Sequence, residues 1–388
     1  MTVPVPAAHL PLDGVRVVEV GTSVAAPYAT WILAALGADV VKVERPGKGD
    51  DARQWGELFA DGRSSIFEAL NRDKRGISVD LKDPAALERL RSRVIAGADV
   101  VLQNLRPGHV ARYGLDAATL TAADPRLVYC NIWAFGASGP LKDHPGYDPL
   151  MQAYGGIMSV TGEMGRAPVR VGTSIIDMGT GMWCAIGILA ALRRREVTGL
   201  GCVVDASLFE TALGWMTYHA TGYQASGENP VRRGSGAPGM VPYQAFRCAD
   251  GYLMIAAPND KLFVALCGVL GRPQWPEDPR FASNQARYAN QPALIEAIEA
   301  ITVTADRAHW RRLLEAAGIP CAPDQTTSEM LADPQTRALG ILQHLPGNPL
   351  ELMGLPLSFD GTRPPLREHA PALGEHDRAL LGDDTDAH

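Results

Sequence analysis

The residue best suited to covalent chemistry is Asp177, in the run VGTSIIDMGTGMWCAIGILAAL that begins at Val171. A carboxylate can act as an oxygen nucleophile. Val169 to Ile176 reads as an extended segment and Met182 to Leu192 as an apolar helix. Asp177 lies at their junction, where the unpaired N–H groups of a first helical turn favour negative charge. It is therefore expected to stay ionised at neutral pH. Taken alone, the same residue reads as a helix N-cap followed by a glycine turn. Asp148, just before Pro149, reads as an Asx turn on the same local grounds.

A second set of polar residues falls at the ends of predicted strands. Val15 to Val20 (VRVVEV) is a β-branched run suited to a buried parallel strand, and Asp39 to Glu44 (DVVKVE) is another. The helix between them, Tyr28 to Leu36, completes a βαβ unit, which implies a parallel sheet with ligands at the carboxyl ends of its strands. Arg45 leaves the second of these strands. Lys74 and Arg75 precede a further strand, Asp99 to Gln103 leads into Asn104 and Arg106, and a short helix from His109 to Gly114 carries Arg112. Leu127 to Ile132 runs into Trp133. Basic residues gathered at one edge of a sheet suit a phosphate-bearing ligand. The first strand is followed by GTSVAAP rather than GxGxxG, and no P-loop follows any strand. Nicotinamide and flavin dehydrogenases are disfavoured on that ground.

These elements belong to a chain of 388 residues, long enough for two domains or one large α/β body. With 36 basic and 43 acidic residues the net charge is −7, which argues against nucleic acid as the main partner. The six cysteines are scattered, with no spacing that suggests a metal site, and read as thiols in a reducing compartment. The N-terminus lacks a signal-peptide pattern, and the longest apolar run, Met182 to Leu192, is about half a bilayer span. A cytoplasmic protein without a membrane partner is expected. Pro84 to Ile95 reads as an amphipathic helix, Cys202 to Ala206 as a strand, and Ser207 to Tyr218 as a helix.

Ser226 to Gly239 is rich in Gly, Pro, Ser and Arg and reads as irregular. Beyond it, Tyr243 to Arg247 and Tyr252 to Ala256 alternate like a hairpin around Asp250-Gly251. Helices follow at Asp260 to Leu270, Gln291 to Ala300 and Arg307 to Ala317. The division expected is a large domain from residues 1–220 and 332–388 and a small α+β domain from 225–331. Only the last polar residues read as disordered.

Blocks along nearly the whole chain, in order, resemble the family III CoA-transferases, the group of formyl-CoA transferase and carnitine CoA-transferase. They include VRVVEVGTSVAAPYATWILAALGADVVKVERPGKGD, NRDKRGISVDLK, LQNLRPGHVARYGL, PRLVYCNIWAFGASGP, GYDPLMQAYGGIMSVTG, VGTSIIDMGTGM, REVTGLGCVVDASLFETAL and PALGEHDRALL. The resemblance implies that Asp177 is the nucleophile. Its carboxylate attacks an acyl-CoA to give a mixed anhydride, and the released thiolate converts this to an aspartyl-CoA thioester. The CoA then passes to a free acid, with succinyl-CoA a reasonable donor. Tyr147 and Asp148 match positions that border the reacting carboxylate. Val24, Arg45, Lys74, Asn104, Leu105, Arg106 and Arg112 match positions that hold coenzyme A, Arg106 and Arg112 being the choices for its phosphates.

Formyl-CoA transferase has a glutamine where Val24 stands and a lysine near Trp133, so oxalate is a doubtful acceptor. Its run of glycines over the active site is replaced by the loop from Arg233 to Gly239, where Gly234, Gly236 and Gly239 could hinge a lid. Arg170, Arg232 or Arg233 is available for a second carboxylate or a sulfinate on the acceptor. The implied fold is a Rossmann-like large domain with a smaller α+β domain, the monomer an open ring in an interlocked homodimer. No metal is implied. Two other readings compete. An α-methylacyl-CoA racemase needs an acid/base pair, for which His144 near Asp148 is available; a non-catalytic CoA-binding dimer needs neither.

Overall fold

The computed structural model describes residues 10–59, 61–345 and 350–382. Residues 1–9, part of the stretch read for a signal peptide, and the polar tail 383–388 lie outside them. The chain divides into two compact units. Met1–Ile157, Arg170–Glu228 and Arg337–His388 form the first, and Met158–Val169 with Asn229–Thr336 the second. Residues 158–169, read from sequence as part of the large domain, thus group with the second unit. Hydrogen bonds hold them there: Gly162 O accepts from Gly234 N, and the Arg232 guanidinium donates to the carbonyls of Met158 and Arg166.

The first unit is built on a six-stranded parallel sheet in the order β3-β2-β1-β4-β5-β6. The strands are β1 (Arg16–Val20), β2 (Asp39–Glu44), β3 (Arg75–Ser78), β4 (Val100–Gln103), β5 (Val128–Trp133) and β6 (Val203–Ser207). Near-continuous β-branched runs are stable as strands only when both faces are covered, and here they are. Val17, Val40, Val100 and Val128 enter one core with the helices Ala25–Ala35 and Ile175–Thr198. Val18, Val41, Val101 and Tyr129 enter the other with Leu90, Val94, Leu120 and Leu381. The strand order reverses between β1 and β4. Loops after these two strands diverge there, which opens a crevice at the carboxyl edge of the sheet.

The helix after Asp177 is longer than its sequence suggests. It runs from Ile175 to Thr198 and takes in Asp177 and the whole MGTGM stretch. The glycines read as turn formers are there for close packing. A Cβ on Gly181 would meet Ala25 O at 2.8 Å and Ala29 N at 3.0 Å, and one on Gly179 would meet the Trp215 ring at 2.8 Å. The helix has the length and apolar composition of a membrane span, but half of that apolar window is buried within the fold. Downstream, the helix expected over Ser207 to Tyr218 is two, Leu208–Trp215 and Thr217–Ser226. The Pro84 helix becomes a wider π turn at Leu90–Ile95.

The second unit carries a three-stranded antiparallel sheet of β7 (Tyr243–Cys248), β8 (Gly251–Ala256) and β9 (Cys321–Pro323). The hairpin turns at Ala249-Asp250, one residue earlier than its sequence suggests, because Gly251 already pairs with Cys248 as the first residue of β8. Helices Asp260–Val269, Gln291–Thr302 and Arg307–Ala316 cover the sheet around Phe246, Leu253, Phe263, Leu266 and Trp310. All six cysteines are free thiols.

Candidate active site

The crevice at the strand-order reversal is a cavity of about 420 Å³. Its wall includes Val24 from the loop after β1, Asn104, Leu105 and Arg106 from the loop after β4, and Tyr147, Asp148 and Asp177. Residues scattered over more than 150 positions of sequence are thus brought together by strand ends and two helix starts. Apolar groups fill much of the remaining wall, among them Trp55, Ile66, Ile132, Trp133 and Leu208.

Asp177 lies in the first turn of its helix and is not the N-cap. Ser174 holds that position without a side-chain hydrogen bond to the helix. The capping is done from a distance by Asp148. Its Oδ2 accepts the backbone N–H of Ile176 at 2.7 Å and of Asp177 at 3.1 Å. Its Oδ1 accepts from Gln152 Nε2 at 2.6 Å, while Gln152 Oε1 accepts from Val171 N at 2.8 Å. The Asx turn read from Asp148-Pro149 is therefore a long-range helix cap. Asp148 is itself the first residue of the helix Asp148–Tyr154, with Pro149 in its first turn, and it is 3 % exposed.

This arrangement corrects the expectation that Asp177 is readily ionised. The donors that would favour its charge are taken by Asp148, and a second negative group now stands beside it. Burial first, and the Asp148 carboxylate second, push Asp177 from the ordinary 3.8 up to about 7. A carboxyl poised near neutrality in a cleft marks a functional site. As the ionised form it is a poorly solvated and reactive oxygen nucleophile.

Other residues matched to coenzyme A lie elsewhere. Arg45 is exposed, donates to Gly49 O at 2.8 Å and pairs with Asp51. Arg112 is exposed on the short helix Val110–Tyr113. Lys74 is fully buried, and its ammonium is taken by Glu19 Oε2, Pro27 O and Asn71 Oδ1, each at 2.9 Å. That set leaves it no proton to offer a ligand. Burial lowers Lys74 to about 8 against the pull of Glu19. Burial alone would raise Glu19, but Lys42 and Lys74 hold it down at about 2.

Gly234, Gly236 and Gly239 belong to the second unit. Gly234 has φ +58°, and a Cβ there would meet the Glu163 carboxylate at 2.2 Å. Among the arginines offered for a second carboxylate, Arg232 is held by two carbonyls and Arg170 by Gly172 O at 2.9 Å. Arg233 lies over the Tyr288 ring.

Sequence reasoning missed Glu19, Lys42, Asp50 and Gln152. The first two carry a legible signal, a charge inside each of two otherwise β-branched strands. Gln152 stands four residues after Asp148, the spacing of neighbours on one helix face.

The family model of CoA-transferase family III matches residues 12–377. Succinate–glutarate CoA-transferase of Agrobacterium fabrum is 36% identical over 382 residues, covering 96% of this chain and 95% of that one. Acetyl-CoA:oxalate CoA-transferase of Acetobacter aceti is 37% identical over 376 residues, covering 95% of each. The crystal structure of a CAIB/BAIF family protein from Brucella suis superposes with a TM-score of 0.89 at 38% identity, over 96% of this chain and 99% of that one. With this match over almost its full length, added to the crevice and its poised aspartate, the chain belongs to the family III CoA-transferases and is a CoA-transferase.

Proposed function

We propose that the enzyme moves CoA from an acyl-CoA donor to a free carboxylic acid through covalent intermediates on Asp177. The observation that carries this reading is the Asp177 carboxyl in the cavity wall, poised near pH 7 by burial and Asp148. An Asp177 oxygen attacks the thioester carbonyl, the C–S bond breaks, and CoA leaves as a thiolate with a mixed anhydride formed. The thiolate attacks the aspartyl carbonyl and expels the donor acid as its carboxylate. The acceptor carboxylate attacks the resulting aspartyl-CoA thioester and again releases the thiolate. Attack on the acceptor acyl carbonyl then gives the new thioester and restores the Asp177 carboxylate. Every leaving group is an anion, so no step requires a proton, and an apolar wall protects the intermediates from water.

Relatives named for succinate, glutarate and oxalate support a small dicarboxylate as acceptor and succinyl-CoA as a donor. Incubation of the enzyme with succinyl-CoA and a panel of acids is expected to yield the swapped thioester. Hydrolysis alone would overturn the reading. His144 in the same wall favours a second reading, a racemase. That activity would exchange solvent deuterium into an α-methylacyl-CoA without acyl exchange.

Arg106 supplies a guanidinium at the rim for the CoA phosphates. Its replacement by alanine is expected to raise KM about tenfold for every acyl-CoA alike, measured across donors of different acyl length. An effect confined to one acyl group would contradict the phosphate role. The enzyme works as a homodimer. Met182, Trp183 and Ile186 on the long helix and Tyr218 beyond it are large apolar groups left exposed in the first unit, which supports a partner surface. Light scattering after gel filtration is expected to return twice the chain mass of 41.5 kDa.

A further inference from the structure

Beneath the cavity lies a charged group that the transfer chemistry does not use. Glu19 on β1 is in register with Lys42 on β2, and both side chains are fully buried. Lys42 Nζ donates to Glu19 Oε1 at 2.7 Å and stands 2.9 Å from Asp50 Oδ2. Lys74 closes the set on Glu19 Oε2. The quartet is neutral in sum, with acceptors around both ammonium groups. Burying four charges costs heavily unless each is paired, and an apolar core would do as well for stability alone.

Besides bonds to Thr30, Asn71 and Ala52 N, the quartet makes three bonds to the segment that follows β1. Lys42 Nζ also donates to Gly21 O at 3.0 Å, Asp50 Oδ1 accepts Ser23 N–H at 3.0 Å, and Lys74 Nζ reaches Pro27 O. From the cavity side, Asn104 Oδ1 accepts Thr22 N–H at 2.9 Å and its Nδ2 donates to Thr22 O at 2.8 Å. The loop is thus held at Gly21, Thr22 and Ser23 by side chains from β2 and from the loops after β2 and β4, and Lys74 holds Pro27 in the first turn of the helix that follows. Within it Ser23 has φ +72°, a left-handed conformation that an L side chain rarely adopts and that persists only when the surroundings enforce it. Thr22, Ser23 and Val24 form cavity wall together with Asp177.

We propose that Asp50, Lys42 and Asn104 are positioning residues for CoA transfer: together they hold the Gly21–Val24 loop in its left-handed turn and so fix the wall of the cavity that faces Asp177. Asn104 and Lys74, matched to coenzyme A by resemblance, act in this structure through the loop. Acyl exchange needs the thioester carbonyl close to the carboxylate oxygen, and a wall displaced by about 1 Å can cost up to about 100-fold in rate. The proposal rests on the transfer reading of the site.

Asp50→Asn keeps the shape and an acceptor but removes the charge that pairs with Lys42. Its kcat for CoA transfer is expected to fall at least about tenfold with KM for the acyl-CoA within about threefold. The deciding readout is a double-variant cycle with Ser23→Gly, because glycine adopts a positive φ without an anchor. In the S23G background the Asp50→Asn change is expected to cost less than about threefold in kcat. A purely structural role would lower the melting temperature in both backgrounds and leave kcat per folded molecule unchanged. That result, or an equal kcat loss in both backgrounds, overturns the proposal. If Asp50→Asn does not fold, Asn104→Ala takes its place in the same cycle, since it removes both Thr22 bonds without touching the buried charges. Full transfer activity in Asp177→Ala would instead refute the reading of the site, whatever the cycle shows.

Discussion

Replacing Asp177 with alanine is expected to lower kcat for CoA transfer by on the order of 10⁴-fold or more while leaving the fold intact. The effect is large because no neighbour can take over. Asp148 is the nearest carboxylate by its influence on Asp177, yet both of its oxygens are engaged, one with the backbone of Ile176 and Asp177 and the other with Gln152. Asp143 also lines the cavity, but it is exposed and lacks the burial that poises Asp177. Covalent trapping provides a second and independent check. After incubation with an acyl-CoA and an acid quench, the peptide that contains Asp177 should carry the mass of CoA as a thioester. The alanine variant should carry none. Undiminished activity in that variant, or an adduct on another peptide, would remove Asp177 from the mechanism.

The parts of this site that sequence made legible are those that depend on local pattern. β-Branched runs located the strands, and their alternation with helices implied a parallel sheet whose carboxyl edge would bind the ligand. Val24, Asn104, Leu105 and Arg106 lie on that edge because strand ends put them there. What local pattern could not show is which side chains turn back into the protein. Lys74 and Arg106 are both basic residues near strand ends, yet one is fully buried against Glu19 and the other is exposed in the cavity wall. Distinguishing them requires the pairing of β1 with β2 and of β2 with β3, which brings Lys74, just before β3, within reach of Glu19.

The glycines after Asp177 misled for a related reason. Gly is read from sequence as a turn former, but Gly181 lies within a helix and lets it approach the backbone of the Ala25–Ala35 helix. Close packing between helices is a tertiary fact. The helix that holds these glycines starts at Ile175, ahead of Asp177. With that start Asp177 is not a cap with donors to itself but a carboxyl whose nearby donors are taken by Asp148.

That loss has measurable consequences in pH. In the proposed mechanism Asp177 attacks as its carboxylate, so the transfer rate is expected to rise with pH through about 7 and to fall about tenfold per unit well below it. Asp148→Asn removes the neighbouring negative charge, and its acid limb should move down by about one unit. The same change should destabilise the protein by about 1–3 kcal/mol. Gln152 has its Oε1 fixed on Val171 N, so its Nε2 must donate to position 148, and the backbone of Ile176 and Asp177 must donate there too. A carboxylate accepts from both sides, whereas an amide must turn its NH₂ toward one set of donors. Asp177→Asn tests the cost of poising the nucleophile. Because the folded pKa lies above the unfolded one, the native state holds the proton more tightly, and ionisation weakens folding progressively from about pH 4 to pH 7. The asparagine variant escapes this penalty. It should be more stable than the parent by about 2–4 kcal/mol above pH 7 and nearly equal to it near pH 4. Denaturant melts at the two pH values decide the matter: an equal difference at both would mean that the charge on Asp177 is not what the fold resists.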